Sequence, residues 1–119
     1  MRELTFDLPM PVSLWNLYDG FGKARRKSEA YKGWQTEAGW MLITQRNRQG
    51  KHRRLTGAVE VSLRCYWHKG RRPDLDNLLK ASLDLLTATQ TIEDDSQVVA
   101  IDARWVPEGP PCQLIVRAA

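Results

Sequence analysis

The sequence predicts an α+β domain in which a mixed sheet of about four strands carries two main helices on one face. Three features predict it. Residues 58–68 alternate with a period of two: Val59, Val61, Leu63, Cys65 and Trp67 face one way, and Glu60, Ser62, Arg64, Tyr66 and His68 the other. Two segments, one from Ser28 to about Gln45 and one following Asp74, carry apolar residues at helical spacing instead. Short apolar or alternating runs near both termini supply the remaining strands. At 119 residues the chain reads as a single domain, 1–119, able to bury roughly two thirds of its unfolded surface.

In chain order, Leu4, Phe6 and Leu8 alternate with Thr5 and Asp7 and give a first strand ending at Pro9. Trp15 and Tyr18 read as core or rim aromatics. Residues 19–27 hold two glycines and four cations (Lys23, Arg25, Arg26, Lys27) with little to bury, and predict a mobile basic loop. Ser28 suits an N-cap and Glu29 the first turn of a helix running to about Gln45. Tyr31, Trp34, Ala38, Met41 and Leu42 would form its apolar stripe. Residues 46–54 are polar and aperiodic. Their cations Arg46, Arg48, Lys51, Arg53 and Arg54 suggest a second loop facing phosphate, with His52 on the surface. After the central strand, Lys69, Arg71 and Arg72 deliver the chain to Asp74. A second helix follows, with Asp76 or Asn77 as its cap, Pro73 just outside it, and Leu75, Leu78, Leu79, Ser82, Leu83 and Leu86 as its stripe. Gln97–Val106 and Cys112–Arg117 read as the last strands. The short turn at 107–111 predicts that they form an antiparallel hairpin.

The charge is distributed unevenly. Residues 20–72 hold fourteen lysines and arginines against three acids, whereas residues 73–119 hold three against eight. A basic field beside clustered carboxylates suits a polyanion whose phosphate is handed to a metal ion. Cys65 and Cys112 lack disulfide-framework or metal-ligand spacing and read as reduced core thiols. No apolar run is long enough to span a membrane, and the N-terminus leads straight into a strand with no signal peptide, so a cytoplasmic location is expected.

The chemistry concentrates in residues 71–97. Asp74 and Asp76 stand at a helix start, Lys80 lies four residues beyond Asp76, and Glu93-Asp94-Asp95 closes the stretch. An Asp-x-Asp can be only a cap, and an acidic run only a solvated turn. An EF-hand loop is excluded, because counting from Asp74 puts Leu79 where the glycine belongs and Leu85 where the glutamate belongs. Clustered carboxylates repel one another unless they share a cation, and Mg²⁺ takes one or two carboxylates plus water and substrate phosphate.

The run from Arg72 to Lys80, Arg-Pro-Asp-Leu-Asp-Asn-Leu-Leu-Lys, followed by Ile92-Glu-Asp-Asp-Ser-Gln-Val98, closely resembles the RusA family of Holliday-junction resolvases. The resemblance implies a RusA-like fold and a homodimeric, Mg²⁺-dependent endonuclease, with Mn²⁺ able to substitute and no small-molecule cofactor. It also implies catalytic Asp74, Asp76, Lys80 and Asp95, the three aspartates holding metal. The implied partner is a four-way DNA junction, resolved by paired symmetric incisions in recombination and repair, in a bacterial or phage-infected cell. DNA contacts would come from Lys23, Arg25, Arg26, Lys27, Arg46, Arg48, Lys51, Arg53, Arg54, Lys69, Arg71 and Arg72. The N-terminal Pro-x-Pro-x-Ser segment of the family matches Pro9, Pro11 and Ser13. Leu14-Trp15 then stands where the family commonly has asparagine, and the asparagine comes at Asn16. A metal-dependent nuclease for flaps or other branches, or a DNA-binding module whose acids only cap helices, is the alternative.

Overall fold

A computed structural model describes residues 3–50 and 54–119. In chain order its elements are β1 (Glu3–Leu8), β2 (Tyr18–Asp19), β3 (Arg26–Lys27), α1 (Glu29–Arg48), β4 (Val59–Cys65), α2 (Leu79–Ala88), β5 (Val98–Trp105) and β6 (Cys112–Ala118). The main sheet has the order β1-β6-β4-β5, and β2 and β3 form a separate two-stranded hairpin. The fold is α+β, with a mixed four-stranded sheet and two helices.

β4 takes the centre of the sheet because of its composition. Val59, Val61, Leu63 and Cys65 are all buried and face the helices, as the alternation predicts, although the strand stops at Cys65 rather than His68. It pairs antiparallel with β6 and parallel with β5. A parallel neighbour requires a crossover, and α2 supplies it. The expected hairpin of the last two strands is therefore corrected: β4 lies between them. Residues 106–111 easily cover the roughly 10 Å of two strand spacings. The Val106 N–H donates to Cys65 O at 2.8 Å, and the Tyr66 N–H to Pro111 O at 3.1 Å, fixing that crossing.

α1 begins as predicted, with Ser28 Oγ accepting from the Tyr31 N–H at 3.1 Å. It extends to Arg48, three residues beyond the expected end. Tyr31, Trp34, Ala38 and Leu42 are buried, but Met41 is exposed, because its offset from Tyr31 turns it off that face. In α2 the buried residues are Ala81, Ser82, Leu85 and Leu86. Leu75, Leu79 and Leu83 of the expected stripe are half-buried. Cys65 and Cys112 are buried free thiols facing each other across β4 and β6.

The opposite face of the sheet is polar. Arg117 reaches Glu60 at 3.4 Å, Glu3 at 3.7 Å and Asp102 at 4.0 Å, linking all four strands. The two sheet edges differ. Gln45 of α1 bonds both backbone groups of Asp7, each at 2.7 Å. Gln49 beyond the helix does the same for Thr5, at 2.9 and 2.8 Å. These amides occupy the free edge of β1, which removes it as a template for further pairing. β5 has no such cover among the described residues: Val99 is 61% and Ile101 46% exposed.

Candidate active site

The chain leaves β4 at Cys65 and turns over the end of the parallel pair. Trp67 donates from Nε1 to Gly70 O at 3.0 Å and meets Trp105 of β5 edge-on at 6.4 Å. Arg72 lies over the Trp105 ring at 4.9 Å, a cation–π contact that holds the guanidinium near the acids that follow. Asp74, Asp76, Arg72, Pro73, Leu75, Leu79, Ala103 and Trp105 line one open cavity of about 560 Å³. Asp74 occupies the N-cap position of a 3₁₀ turn, Leu75–Leu78, yet its side chain makes no cap bond. The expected cap by Asp76 or Asn77 is corrected as well, since Leu78 holds the N-cap position of α2 and no side chain caps it. The turn closes through its backbone, with the Asn77 N–H donating to Asp74 O at 3.1 Å. Asp74 and Asp76 both remain exposed to the cavity.

The other acids sit further along α2. Lys80 Nζ donates to Asp84 Oδ1 at 3.0 Å, and Tyr31 Oη donates to Asp84 Oδ2 at 3.3 Å. The hydrogen bond to Asp84 raises the Lys80 pKa above its ordinary value, so the ammonium stays charged. Burial, reinforced by Asp84, pushes the Tyr31 phenol well up and keeps its proton in place. Beyond the end of α2, Thr87 Oγ1 donates to Asp95 Oδ1 at 2.9 Å. Asp94 is engaged differently, accepting from the Ser96 N–H at 3.0 Å in a capping box closed by Gln97. Those bonds hold its carboxyl below the usual range. Gln97 also donates to Leu55 O at 2.8 Å and Gly57 O at 2.9 Å, tying the acidic turn to the segment before β4. Tyr18, Lys27, Tyr31, Gln35, Asp84, Thr87, Ala88, Asp94 and Asp95 line a second cavity, of about 290 Å³.

The expected convergence of Asp74, Asp76 and Asp95 within one chain is not observed. Among the described residues no three His, Cys, Asp or Glu side chains come close enough to hold a metal ion. The reason is the crossover. Asp76 precedes α2 and Asp95 follows it, and a ten-residue helix is about 15 Å long. Asp74 and Asp76 by themselves still fit Mg²⁺, as two hard oxygen donors on one open cavity with room for water and phosphate.

The predicted DNA-contacting cations fall into four groups. Lys69, Arg71 and Arg72 are exposed on the approach to Asp74. Lys23, Arg25, Arg26 and Lys27 are exposed on β2–β3, a hairpin where a loop was expected. Arg25 stacks on Tyr18 at 4.1 Å, and Lys27 bonds Gln35 at 3.0 Å. Arg48 and Arg54 are exposed, whereas Lys51, His52 and Arg53 lie outside the described residues. Arg46 departs from the loop reading. It lies in α1, and its Nη1 donates inward to Thr89 O at 2.7 Å and Thr91 Oγ1 at 3.0 Å, with Nε buried and unpartnered.

Sequence reasoning missed Tyr31, Thr87 and Gln97 as contributors to the site. Asp84 was legible, standing four residues after Lys80. Tyr31 carried no signal, because its helical spacing marks it only as core. Trp15 is 79% exposed, against the expectation of a core or rim aromatic. Asn16, the displaced asparagine, lines a cleft with Ser13, Arg71 and Arg72.

The family pattern of Endodeoxyribonuclease RusA matches residues 17–117, which takes in both aspartate-lined cavities and all of the strands but β1 and the last residue of β6. The Crossover junction endodeoxyribonuclease rusA of Lactococcus phage r1t is 41% identical over 49 residues, a stretch covering 41% of this chain and 37% of the phage protein. The chain thus spans just over a third of the length of that curated relative. By the extent of the family match, this chain belongs to the RusA endodeoxyribonuclease family.

Proposed function

We propose that the protein is a Mg²⁺-dependent endonuclease that hydrolyses phosphodiesters at four-way DNA junctions, acting in recombination or repair inside a bacterial or phage-infected cell. The observation that supports this best is the pair Asp74 and Asp76, free of cap bonds at the mouth of an open cavity whose approach is lined by arginines. Asp74 and Asp76 would hold the Mg²⁺, which when bound supplies Lewis-acid polarisation of the phosphate and lowers the pKa of water. Arg72 orients the backbone phosphate. Lys80, kept charged by its bond to Asp84, would stabilise the negative charge that develops on it. The exposed cations of 23–27 and 69–72 supply sequence-independent affinity.

The same reading includes a homodimer, because the sequence carries one Asp-x-Asp pair, Asp74 and Asp76, and a four-way junction needs two symmetric incisions. The bare edge of β5 is the surface we assign to it. Antiparallel pairing of two β5 edges would bring the Asp95 end of one strand beside the Trp105 end of the other, where Asp74 and Asp76 lie. That arrangement would overcome the separation that α2 imposes within a chain.

The test is cleavage of a synthetic four-way junction and a linear duplex of the same sequence, with Mg²⁺ and with EDTA. Paired, symmetric, Mg²⁺-dependent cuts in the junction alone are expected. Equal cleavage of both DNAs would remove the junction as substrate, and cleavage in EDTA would remove the metal.

A further inference from the structure

Phe21 is 93% exposed, more than any other large apolar side chain among the described residues. A single exposed apolar residue is ordinary; the way this one is held is not. It sits at the tip of the β2–β3 hairpin, in which Tyr18 pairs with Lys27 and Asp19 with Arg26. The Ala24 N–H donates to Phe21 O at 3.0 Å, and the Arg25 N–H to Gly22 O at 3.2 Å, closing a tight turn. Gly20 has φ +82°, and a Cβ there would stand 2.5 Å from Ala24 O, so only glycine fits. Gly22, on the other side of the ring, is also left-handed at φ +56°.

The hairpin is anchored at its base. The Ser28 N–H donates to Leu17 O at 2.9 Å, Ser28 Oγ donates to Asn16 O at 2.6 Å, and Leu17 is fully buried. Tyr18 and Lys27, its first and last residues, form part of the wall of the cavity that holds Asp84 and Asp95. Lys23, Arg25 and Arg26 are exposed beside Phe21, and Asp19 is the one acid in residues 19–27.

We propose that Phe21 stacks on an unpaired or unstacked base at the branch point of DNA whose backbone the neighbouring cations hold. The inference rests on the branched-DNA reading above and adds a residue to it. A ring flanked by cations matches exposed nucleotides in both respects: ammonium and guanidinium groups meet phosphates, and the aromatic face meets a base. Bases inside a continuous duplex offer no such face, whereas a branch interrupts the stack. The cations disfavour a basic protein partner, and the root of the hairpin forms part of the wall around Asp84 and Asp95.

The experiment compares wild type, Phe21→Ala and Phe21→Trp in EDTA, so that the DNA stays intact. Binding is measured on a four-way junction, a duplex with a single-stranded gap and a linear duplex, with 2-aminopurine at the branch or gap. Phe21→Ala should weaken junction and gap binding roughly ten-fold, as expected for loss of one stacked base, and leave the linear duplex unchanged. The 2-aminopurine response should vanish with Phe21→Ala and return with Phe21→Trp. Because the side chain is exposed, thermal unfolding should not shift. Unchanged affinity on all three DNAs, or an equal loss on all three, overturns the inference. A wild type with no junction preference, but with gap binding that Phe21→Ala weakens, would keep the stacking role and sink the junction reading alone.

Discussion

The chain carries two aspartate pairs of similar composition whose fates differ. Asp74 and Asp76 precede α2, at the open end of the parallel β4–β5 pair, and Asp74 makes no cap bond although it stands at a cap position. Asp94 and Asp95 follow α2, where Asp94 is committed to a capping box and Asp95 to Thr87. An aspartate's short side chain suits caps and turns by default, so a carboxylate left open at a helix start is the informative one. Asp74 is marked as a metal-site candidate by a carboxylate that no cap bond occupies. The second pair is also divided internally, because Asp94 stabilises the turn that presents Asp95.

The largest expected effect separates these roles. Asp74→Asn and Asp76→Asn should each lower junction cleavage on the order of 10³-fold, while binding in EDTA holds or tightens as a charge that repels phosphate is removed. Asp95→Asn should fall with them and Asp94→Asn should not. The reverse outcome in a single-turnover assay would move the role from Asp95 to Asp94.

Next in size is the link between the two ends of α2. Ile101→Lys places a charge on the exposed β5 edge, where it should turn a dimer into a monomer in sedimentation and lower cleavage at least ten-fold. A monomeric variant that still cuts both strands in one binding event would break the proposed coupling of the two pairs.

A smaller effect is expected from Asp84, which lies between them. The Lys80 pKa is raised above its ordinary 10.5, first by the bond to Asp84. A cation favoured in the fold contributes fully below the ordinary value and is lost only as pH rises through the higher folded value. The alkaline limb of the wild-type pH–rate profile should therefore not come from Lys80 below about pH 10. Asp84→Asn should move the Lys80 titration downward, readable by NMR of its ammonium group, and lower the rate several-fold. An unmoved titration would show that Asp84 does not hold the lysine.

The smallest effect belongs to Asp94. Its carboxyl titrates below the usual value because it accepts from Ser96, so its stabilising contribution is present above the ordinary value of 3.8 and fades as pH falls through the depressed one. Asp94→Asn should lower Tm slightly at neutral pH, and the difference should shrink in acid. A difference that persists unchanged to pH 2 would point to packing rather than charge.

Much of this molecule is written locally in its sequence. The period of β4, the Ser28 cap of α1 and the spacing of Asp74, Asp76 and Lys80 each depend on residues within a few positions of one another. Period and capping chemistry suffice to read such features, and the contrast between a basic first part and an acidic remainder is plain from composition. Other features depend on partners remote in the chain. The inward turn of Arg46 onto Thr89 and Thr91, the Tyr31–Asp84 bond and the two glutamines closing the β1 edge join residues 38 to 53 positions apart. Sheet order was also beyond the sequence. A short turn between two strands permits a hairpin or a crossing, and the choice came from burying the apolar inner face of β4 between two neighbours. That choice made β5 a parallel edge strand and required α2 as its crossover. It therefore set Asp95 a helix length away from Asp74 and Asp76, because strand polarity and helix length are fixed by geometry that no local motif contains.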